Sequence, residues 1–171
     1  MTLPEFPEQG SADGAADVPQ RRPPLKFEPM LVPRLRAAQA ALNTRFTELA
    51  PAILHDPAAT ARTIEECARQ FAAIRHIETI WLHPVLAHAV AADPGARSQF
   101  MELRLIGLML ARRLLRCFDE LMQAVRAEVY VADTTAQVAA ALARYSRHSD
   151  EALYPLYEVI GEQRQEATQV A

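Results

Sequence analysis

Residues 76–86 read HIETIWLHPVL, and residues 148–158 read HSDEALYPLYE. Both stretches carry a histidine and at least one acidic residue on a helical run, then a bulky apolar residue, an aromatic residue or histidine, and a proline, Pro84 or Pro155. A proline weakens or kinks a helix because it removes one backbone donor. Both stretches fall near the end of a predicted helix, so the repeat predicts a chain built from two related helical hairpins.

The composition of the 171-residue chain favours an all-α domain. Hydrophobic residues make up 50% of it and glycines number only five, and its prominent alanines and leucines are strong helix formers. The prolines are concentrated at the amino terminus, where residues 1–28 show no apolar periodicity. We predict a disordered tail over residues 1–28, a helical bundle over residues 29–165, and a short carboxy-terminal tail over residues 166–171.

Apolar periodicity predicts an up-down-up-down four-helix bundle, since long helices joined by short loops become antiparallel neighbours. The first helix is predicted to begin near residues 30–33 and to stop at residues 55–57. Thr60 or Thr63 is predicted to open the second helix, which runs to about residue 91.

The second half of the chain is predicted to follow the same plan. Asp93-Pro94-Gly95 reads as a turn, and the third helix is predicted over about residues 96–129. Thr134 or Thr135 is predicted to cap the fourth helix, which runs to about residue 164.

Charge and composition exclude several functional classes. A net charge of −3 argues against a dedicated nucleic-acid binder, because such proteins need a basic face. The amino terminus lacks the features of a signal peptide, and no apolar run approaches the ~18 residues that span a bilayer. The two cysteines, Cys67 and Cys117, do not form a disulfide framework. We therefore expect a cytoplasmic protein without a nucleic-acid or membrane partner.

Catalytic motifs are absent from the sequence. It contains no Gly-x-Ser-x-Gly, no cysteine at a suggestive spacing from a histidine, and no glycine-rich phosphate loop. We predict that the protein is not an enzyme and has no catalytic residues.

Helical spacing predicts a core face on the second helix that includes an acid: Phe71, Ile74, Glu78, Trp81 and Val85. A buried carboxylate is costly unless it is paired or protonated. Two interpretations of Glu78 stay open. It is a remnant metal ligand or the anchor of an internal polar network, or else it pairs with an arginine such as Arg75 or Arg113 at the edge of the bundle.

On the fourth helix the predicted core face has one small polar residue, Ser149, among Leu142, Tyr145, Ala152, Leu156 and Ile160. Facing core stripes would place the Ser149 hydroxyl opposite Glu78. The two side chains would then form a hydrogen bond across the bundle.

The segments Glu78 to Leu86 and Asp150 to Glu158 resemble the hemerythrin-like (HHE cation-binding) domain family, and the likeness extends over about residues 30–162. Members of this family hold two iron ions inside the bundle. The resemblance implies histidines on the first and third helices, a His-x-x-x-Glu pair on the second, and a His-x-x-x-Asp pair on the fourth.

The implied ligand positions are filled by other residue types in this chain. Counting back from the prolines, the resemblance places the paired ligands on Arg75 and Thr79 and on Ser146 and Asp150, and Gln39 stands where the first histidine would be. No histidine lies between residues 88 and 148, which includes the whole third helix. Iron sites need converging nitrogen and oxygen donors, so the resemblance implies a bundle whose di-iron site is degenerate or lost.

These observations predict a non-enzymatic protein that acts by protein binding or regulation and needs no cofactor. The third helix is apolar on more than one face, which predicts a homodimer through Leu103, Ile106 and Leu110. The identity of any other protein partner is not encoded in a recognisable motif.

Two alternatives remain open at this point. One is a metal-binding sensor or storage protein for iron or oxygen, with a rearranged site built from His76, Glu78, Glu102 and His148. The other is a small-molecule pocket lined by Trp81, Phe118 and Tyr145.

Overall fold

In a computed structural model, the chain is described over residues 27–49, 56–129 and 131–169. The regular secondary structure of these ranges is helical: α1 (Leu31–Leu49), α2 (Pro57–Ile77), α3 (His83–Ala89), α4 (Pro94–Arg126), α5 (Ala132–His148) and α6 (Tyr154–Gln169). Two π-helical turns, π1 (Glu78–Leu82) and π2 (Ser149–Leu153), join α2 to α3 and α5 to α6 without a break. The described residues therefore form four helical rods. The first is α1, the second is α2 with π1 and α3, the third is α4, and the fourth is α5 with π2 and α6. The predicted all-α four-helix bundle is confirmed.

The predicted tails fall largely outside these ranges. Only Phe27 and Glu28 of the predicted amino-terminal tail are described, and α6 continues to Gln169, inside the segment predicted as a carboxy-terminal tail. No helix of the described ranges is both long enough and apolar enough to cross a membrane.

Two helices begin earlier than predicted because an Asp-Pro pair starts each of them. Asp56 caps α2 by accepting a 2.9 Å hydrogen bond from the Ala59 amide, and Pro57 occupies the first turn. Asp93 caps α4 in the same way through the amide of Gly95 at 2.8 Å. Aspartate is a favoured cap and proline is tolerated in the first turn. The predicted start at Thr60 or Thr63, and the reading of residues 93–95 as a separate turn, are therefore wrong.

The predicted threonine cap of the fourth rod is also wrong. Helix α5 begins at Ala132, and its capping residue, Val131, makes no side-chain cap. The hydroxyls of Thr134 and Thr135 donate to the Val131 carbonyl at 3.0 and 2.8 Å. They therefore bond a carbonyl inside the first turn and leave the opening amides without a side-chain acceptor.

The two π turns decide which side chains face the core. In each turn the backbone bond spans five residues, from the His83 amide to the Glu78 carbonyl and from the Tyr154 amide to the Ser149 carbonyl. The wider turn inserts one residue relative to an α-helix. The inward face therefore moves on by one position after Glu78 and after Ser149.

This shift corrects the predicted core stripes. Leu82 is buried where Trp81 was predicted, and Trp81 is 53% exposed. On the fourth rod Ala152 and Ile160 are only half-buried and Leu156 is exposed. The residues buried in their place are Leu153, Tyr154 and Tyr157.

The surface of α4 differs in register from the predicted dimer face. Leu103, Ile106 and Leu110 are half-buried, and Leu103 and Leu110 pack against the core. The large apolar side chains that α4 exposes are different ones: Met101, Leu105, Leu108, Met109 and Leu115.

Candidate functional site

The centre of the bundle holds a carboxylate. Glu78, the first residue of π1, has no solvent exposure, and neither does Ser149, the first residue of π2. The Ser149 hydroxyl lies 3.4 Å from Oε1 of Glu78. The predicted contact between these two residues is confirmed, and it joins equivalent positions of the two halves of the repeat.

Arg75 supplies the positive charge for this carboxylate. It lies one turn earlier on α2, and its Nη1 is 2.9 Å from Oε2 of Glu78. The same nitrogen donates to the Tyr145 hydroxyl at 3.1 Å, and the guanidinium lies over the Tyr145 ring. Glu78 therefore anchors an internal polar network and is also paired with Arg75, whereas Arg113 is on the outer surface of α4.

Two tyrosine hydroxyls from the fourth rod complete the contacts of Glu78. Tyr154 donates to Oε1 at 2.9 Å, and Tyr145 donates to Oε2. Gln39, from α1, donates to the Tyr154 oxygen at 2.8 Å. We call this cluster the Glu78 network; its members are Gln39, Arg75, Glu78, Tyr145, Ser149 and Tyr154.

The electrostatics of the network keep its donors protonated. Burial raises the pKa of Tyr145 and of Tyr154, and the negative charge of Glu78 raises both further. Burial acts to lower the pKa of Arg75, but contact with Tyr145 and Glu78 outweighs it and the pKa is raised. Each carboxylate oxygen of Glu78 thus has two hydrogen-bonding partners, and its charge is balanced by a cation that does not titrate in the physiological range.

His83 occupies the position in the first half of the repeat that Tyr154 occupies in the second. Its ring is buried, and within the described residues neither ring nitrogen has a hydrogen-bond partner. Burial lowers its pKa to about 4, and the positive charges of Arg75 and Arg104 act in the same direction. His83 therefore contributes a neutral ring that packs edge-on against Phe100.

The four residues predicted as candidate metal ligands differ in burial and in their contacts. His76 and Glu102 are exposed, and Glu78 is enclosed in its network. His148 is half-buried, with Nε2 3.0 Å from the Leu103 carbonyl oxygen. Over the described ranges, no group of three or more His, Cys, Asp or Glu side chains is placed to hold a metal ion.

Of the residues at the ligand positions implied by the family resemblance, some belong to the Glu78 network and others lie outside it. Arg75 and Gln39 enter the Glu78 network. Thr79 is exposed and bonds the Arg75 carbonyl, and Asp150 is an exposed partner of Arg36 at 3.1 Å. Ser146 is half-buried, 3.5 Å from the Asn43 amide nitrogen.

The predicted small-molecule pocket is not formed. Phe118 and Tyr145 are fully buried, whereas Trp81 is on the outside of the bundle. The extra residue of π1 rotates the indole away from the core, so these three side chains cannot line one cavity.

Tyr154 is the member of the network that sequence reasoning missed. The α-helical period carried the core stripe from Ser149 to Ala152 and passed over it. The available signal was its place directly before Pro155, which is also the place of His83 before Pro84. Comparison of the chain with protein-family models, curated protein sequences and solved structures gives no match.

Proposed function

We propose that this chain is a hemerythrin-like helical bundle whose di-iron site has been replaced by the Glu78 network, and that it acts by binding another protein. The observation that carries the proposal is the Arg75 guanidinium on the buried Glu78 carboxylate, 2.9 Å away. A guanidinium has no free lone pair for a metal and brings the positive charge that an ion would otherwise supply. In this reading the cation of the site is part of the chain.

The hydrogen bonds of Glu78 support a structural role for this centre. Both oxygens are engaged, by Ser149 and Tyr154 on one side and by Arg75 and Tyr145 on the other. A metal ion would have to displace these donors before it could reach a lone pair. Because the network joins α1 with the second and fourth rods, its role is to fix how these rods are aligned, which is the best-attested use of buried polar groups.

The outer surface supports a binding role. Large apolar side chains are exposed on α4, and others follow one another at π1, where Ile80 and Trp81 are 49% and 53% exposed. Clustered exposed apolar side chains mark sites of protein interaction. A hydrogen-bonded interior and exposed apolar side chains on α4 and π1 together favour a scaffold that presents a binding surface.

The experiment that tests the proposal measures metal content and metal response in the purified chain. We expect no stoichiometric iron by elemental analysis, no charge-transfer absorption, and no change in melting temperature on addition of Fe²⁺, Mn²⁺ or Zn²⁺. A ligand that binds only the native state must raise the melting temperature. About two irons per chain, or a metal-dependent rise that Glu78→Gln abolishes, would overturn the proposal in favour of a metal sensor or storage protein.

A matched pair of variants separates an effect at the network from one at the surface. His76→Gln removes an exposed histidine of the rearranged site and leaves the network intact. If metal raises the melting temperature of the wild type and His76→Gln removes the rise, the site lies around His76 and the proposal fails. If neither variant nor wild type responds, the proposal stands.

A further inference from the structure

The outer face of α4 carries a second stripe, in which four of six positions are apolar. Met101, Leu105, Leu108, Arg112, Leu115 and Asp119 follow one another at alternating intervals of four and three residues, and all six are exposed. The buried residues of the same helix, such as Phe100, Leu114 and Phe118, form a separate inward stripe. We call the six exposed positions the α4 seam. Alternating intervals of four and three residues are those of the contact positions on a helix that packs along another helix.

We infer that a second copy of this chain packs on the α4 seam, with the two α4 helices antiparallel about a two-fold axis near residue 110. This inference rests on the proposed binding function and names its partner. In this register Leu105 faces Leu115 of the partner subunit, and Met109 lies beside Met109 of the partner subunit at the axis. The same patch is used on both copies, as a two-fold interface requires.

Charge selects the antiparallel arrangement. Glu102 flanks the first half of the seam, and Arg112 and Arg116 lie in and beside its second half. The antiparallel register brings Glu102 next to Arg116 of the partner subunit, and the two-fold axis forms this pair twice. A parallel pairing in register would instead set Arg112 and Arg116 against their own copies, which is repulsive.

Within the part of the chain that the structure describes, no ion pair engages Glu102, Arg112 or Arg116 inside one copy. Among the described residues, the ion pairs formed by arginines involve Arg36, Arg45, Arg75 and Arg126. Arg112, Arg113 and Arg116 line a groove of about 460 Å³ beside α5. Glu102 and Arg116 are therefore free to pair between copies.

The composition of the seam sets the strength of the association. From Met101 to Asp119 it is roughly 27 Å long, at about 1.5 Å per residue. A contact of two helices over this length is at the small end of specific interfaces. Arg112 faces Leu108 of the partner subunit and can cover it only with its aliphatic stem. We therefore expect a reversible dimer that dissociates on dilution.

The first test is the solution mass of the full chain by sedimentation equilibrium over a concentration series. We expect a shift from the 19.0 kDa monomer towards twice that mass. Leu105→Glu is expected to weaken association at least ~10-fold, because it places a carboxylate in an apolar contact. Val159→Glu, at an apolar position of similar exposure on α6, is the matched control and is expected to leave association unchanged. A helical circular dichroism spectrum and a cooperative thermal transition in each variant will show that both are folded.

The second test addresses the register. Glu102→Arg and Arg116→Glu are each expected to weaken association, and the double variant is expected to restore it, because the swap rebuilds both ion pairs. Arg112→Leu is expected to tighten the dimer. Met109→Cys is expected to be linked to its own copy by a short thiol crosslinker, whereas Met101→Cys is not, since its two copies lie near opposite ends of the seam.

The outcomes separate this inference from the proposed function. A monomer at every concentration, or a dimer that Leu105→Glu leaves intact, would overturn the inference. A dimer broken by Leu105→Glu but not restored by the double swap would overturn the antiparallel register. A metal-free monomer leaves the proposed function in place with a different partner, whereas stoichiometric iron defeats the proposed function whatever the mass.

Discussion

The turns π1 (Glu78–Leu82) and π2 (Ser149–Leu153) share one backbone design and carry different chemistry. Each has five residues, each begins six residues before a proline, and each buries its first and last side chains. The first residue is a charged acid in π1 and a small neutral hydroxyl in π2. Directly after π1 comes His83, which has no hydrogen-bond partner among the described residues. Directly after π2 comes Tyr154, which makes two hydrogen bonds through its hydroxyl.

The comparison distinguishes the backbone feature that the two halves share from the buried side chains in which they differ. The wide turn and its proline recur in both halves, so they belong to the plan of the helical hairpin. A buried charge occurs in π1, whereas the acids of π2, Asp150 and Glu151, are exposed. The partners that satisfy the buried charge come mainly from the other half of the chain. The two halves are therefore alike in backbone and complementary in side chains.

The largest expected effect comes from substituting the first residue of each π turn, Glu78 in π1 and Ser149 in π2. Glu78→Ala leaves Arg75 without a counter-ion and removes the acceptor of Tyr145 and Tyr154. Removing one partner of a buried ion pair typically costs about 3–5 kcal/mol. The equivalent change Ser149→Ala removes one long hydrogen bond, at 3.4 Å, and leaves the carboxylate with its other donors. We expect it to cost about 1 kcal/mol or less. Urea unfolding of both variants measures the difference, and similar losses for the two would contradict the role assigned to Glu78.

The next effect tests the one-residue shift caused by π1. We expect Leu82→Ala to destabilise the fold by about 2–5 kcal/mol, as is usual for a fully buried leucine. We expect Trp81→Ala to change stability by no more than about 0.5 kcal/mol, since its side chain is on the surface. Thermal or urea unfolding decides between them. The reverse order of effects would mean that the α-helical period continues through residue 81.

A pH experiment probes the unpartnered residue after π1. The pKa of His83 is lowered from 6.5 to about 4 in the folded chain, so between these values the unfolded chain binds a proton that the folded chain does not. Stability therefore falls as pH drops from about 6.5 to 4, by at most about 3 kcal/mol from this residue, and is unaffected above that window.

His83→Phe is expected to remove this part of the pH dependence. The measurement is the free energy of unfolding against pH for the variant and the wild type, with the exposed His76→Gln as control. If the two variants show the same slope as the wild type, His83 does not titrate as assigned.

The smallest expected effect concerns Tyr154, which replaces His83 in the second half. Tyr154→Phe keeps the ring and removes the hydroxyl that joins Gln39 to Glu78. We expect a loss of about 1–3 kcal/mol, because a buried acceptor and a buried donor lose a partner while packing is kept. A double-mutant cycle with Glu78→Gln should reveal coupling between the two sites, and strict additivity would show that the hydrogen bond contributes nothing.

The sequence alone determined the number and order of the rods. Helix formers, apolar periodicity and the repeated proline phrase each act locally, so they can be read without knowing the partners. The same periodicity placed Glu78 and Ser149 on facing stripes, and their contact followed from it. The Asp-Pro starts of α2 and α4 are equally local signals. However, Asp56-Pro57 was predicted as the end of the first helix and Asp93-Pro94-Gly95 as a turn.

Only the tertiary structure decided what lies beyond Glu78 and Ser149. Each π turn adds one residue to its helix. Because the predicted core stripes assumed a period of 3.6 residues throughout, they did not include this extra residue. Trp81 was therefore predicted to be buried, and Tyr154 was left out of the core. Arg75 lies three residues from Glu78 on the same rod and was one of its predicted partners. The choice of Tyr145 and Tyr154 depended on packing between rods that are distant in sequence. Local preferences determine where the helices form. The partners of a buried charge depend on which side chains the packed helices bring within hydrogen-bond distance of it.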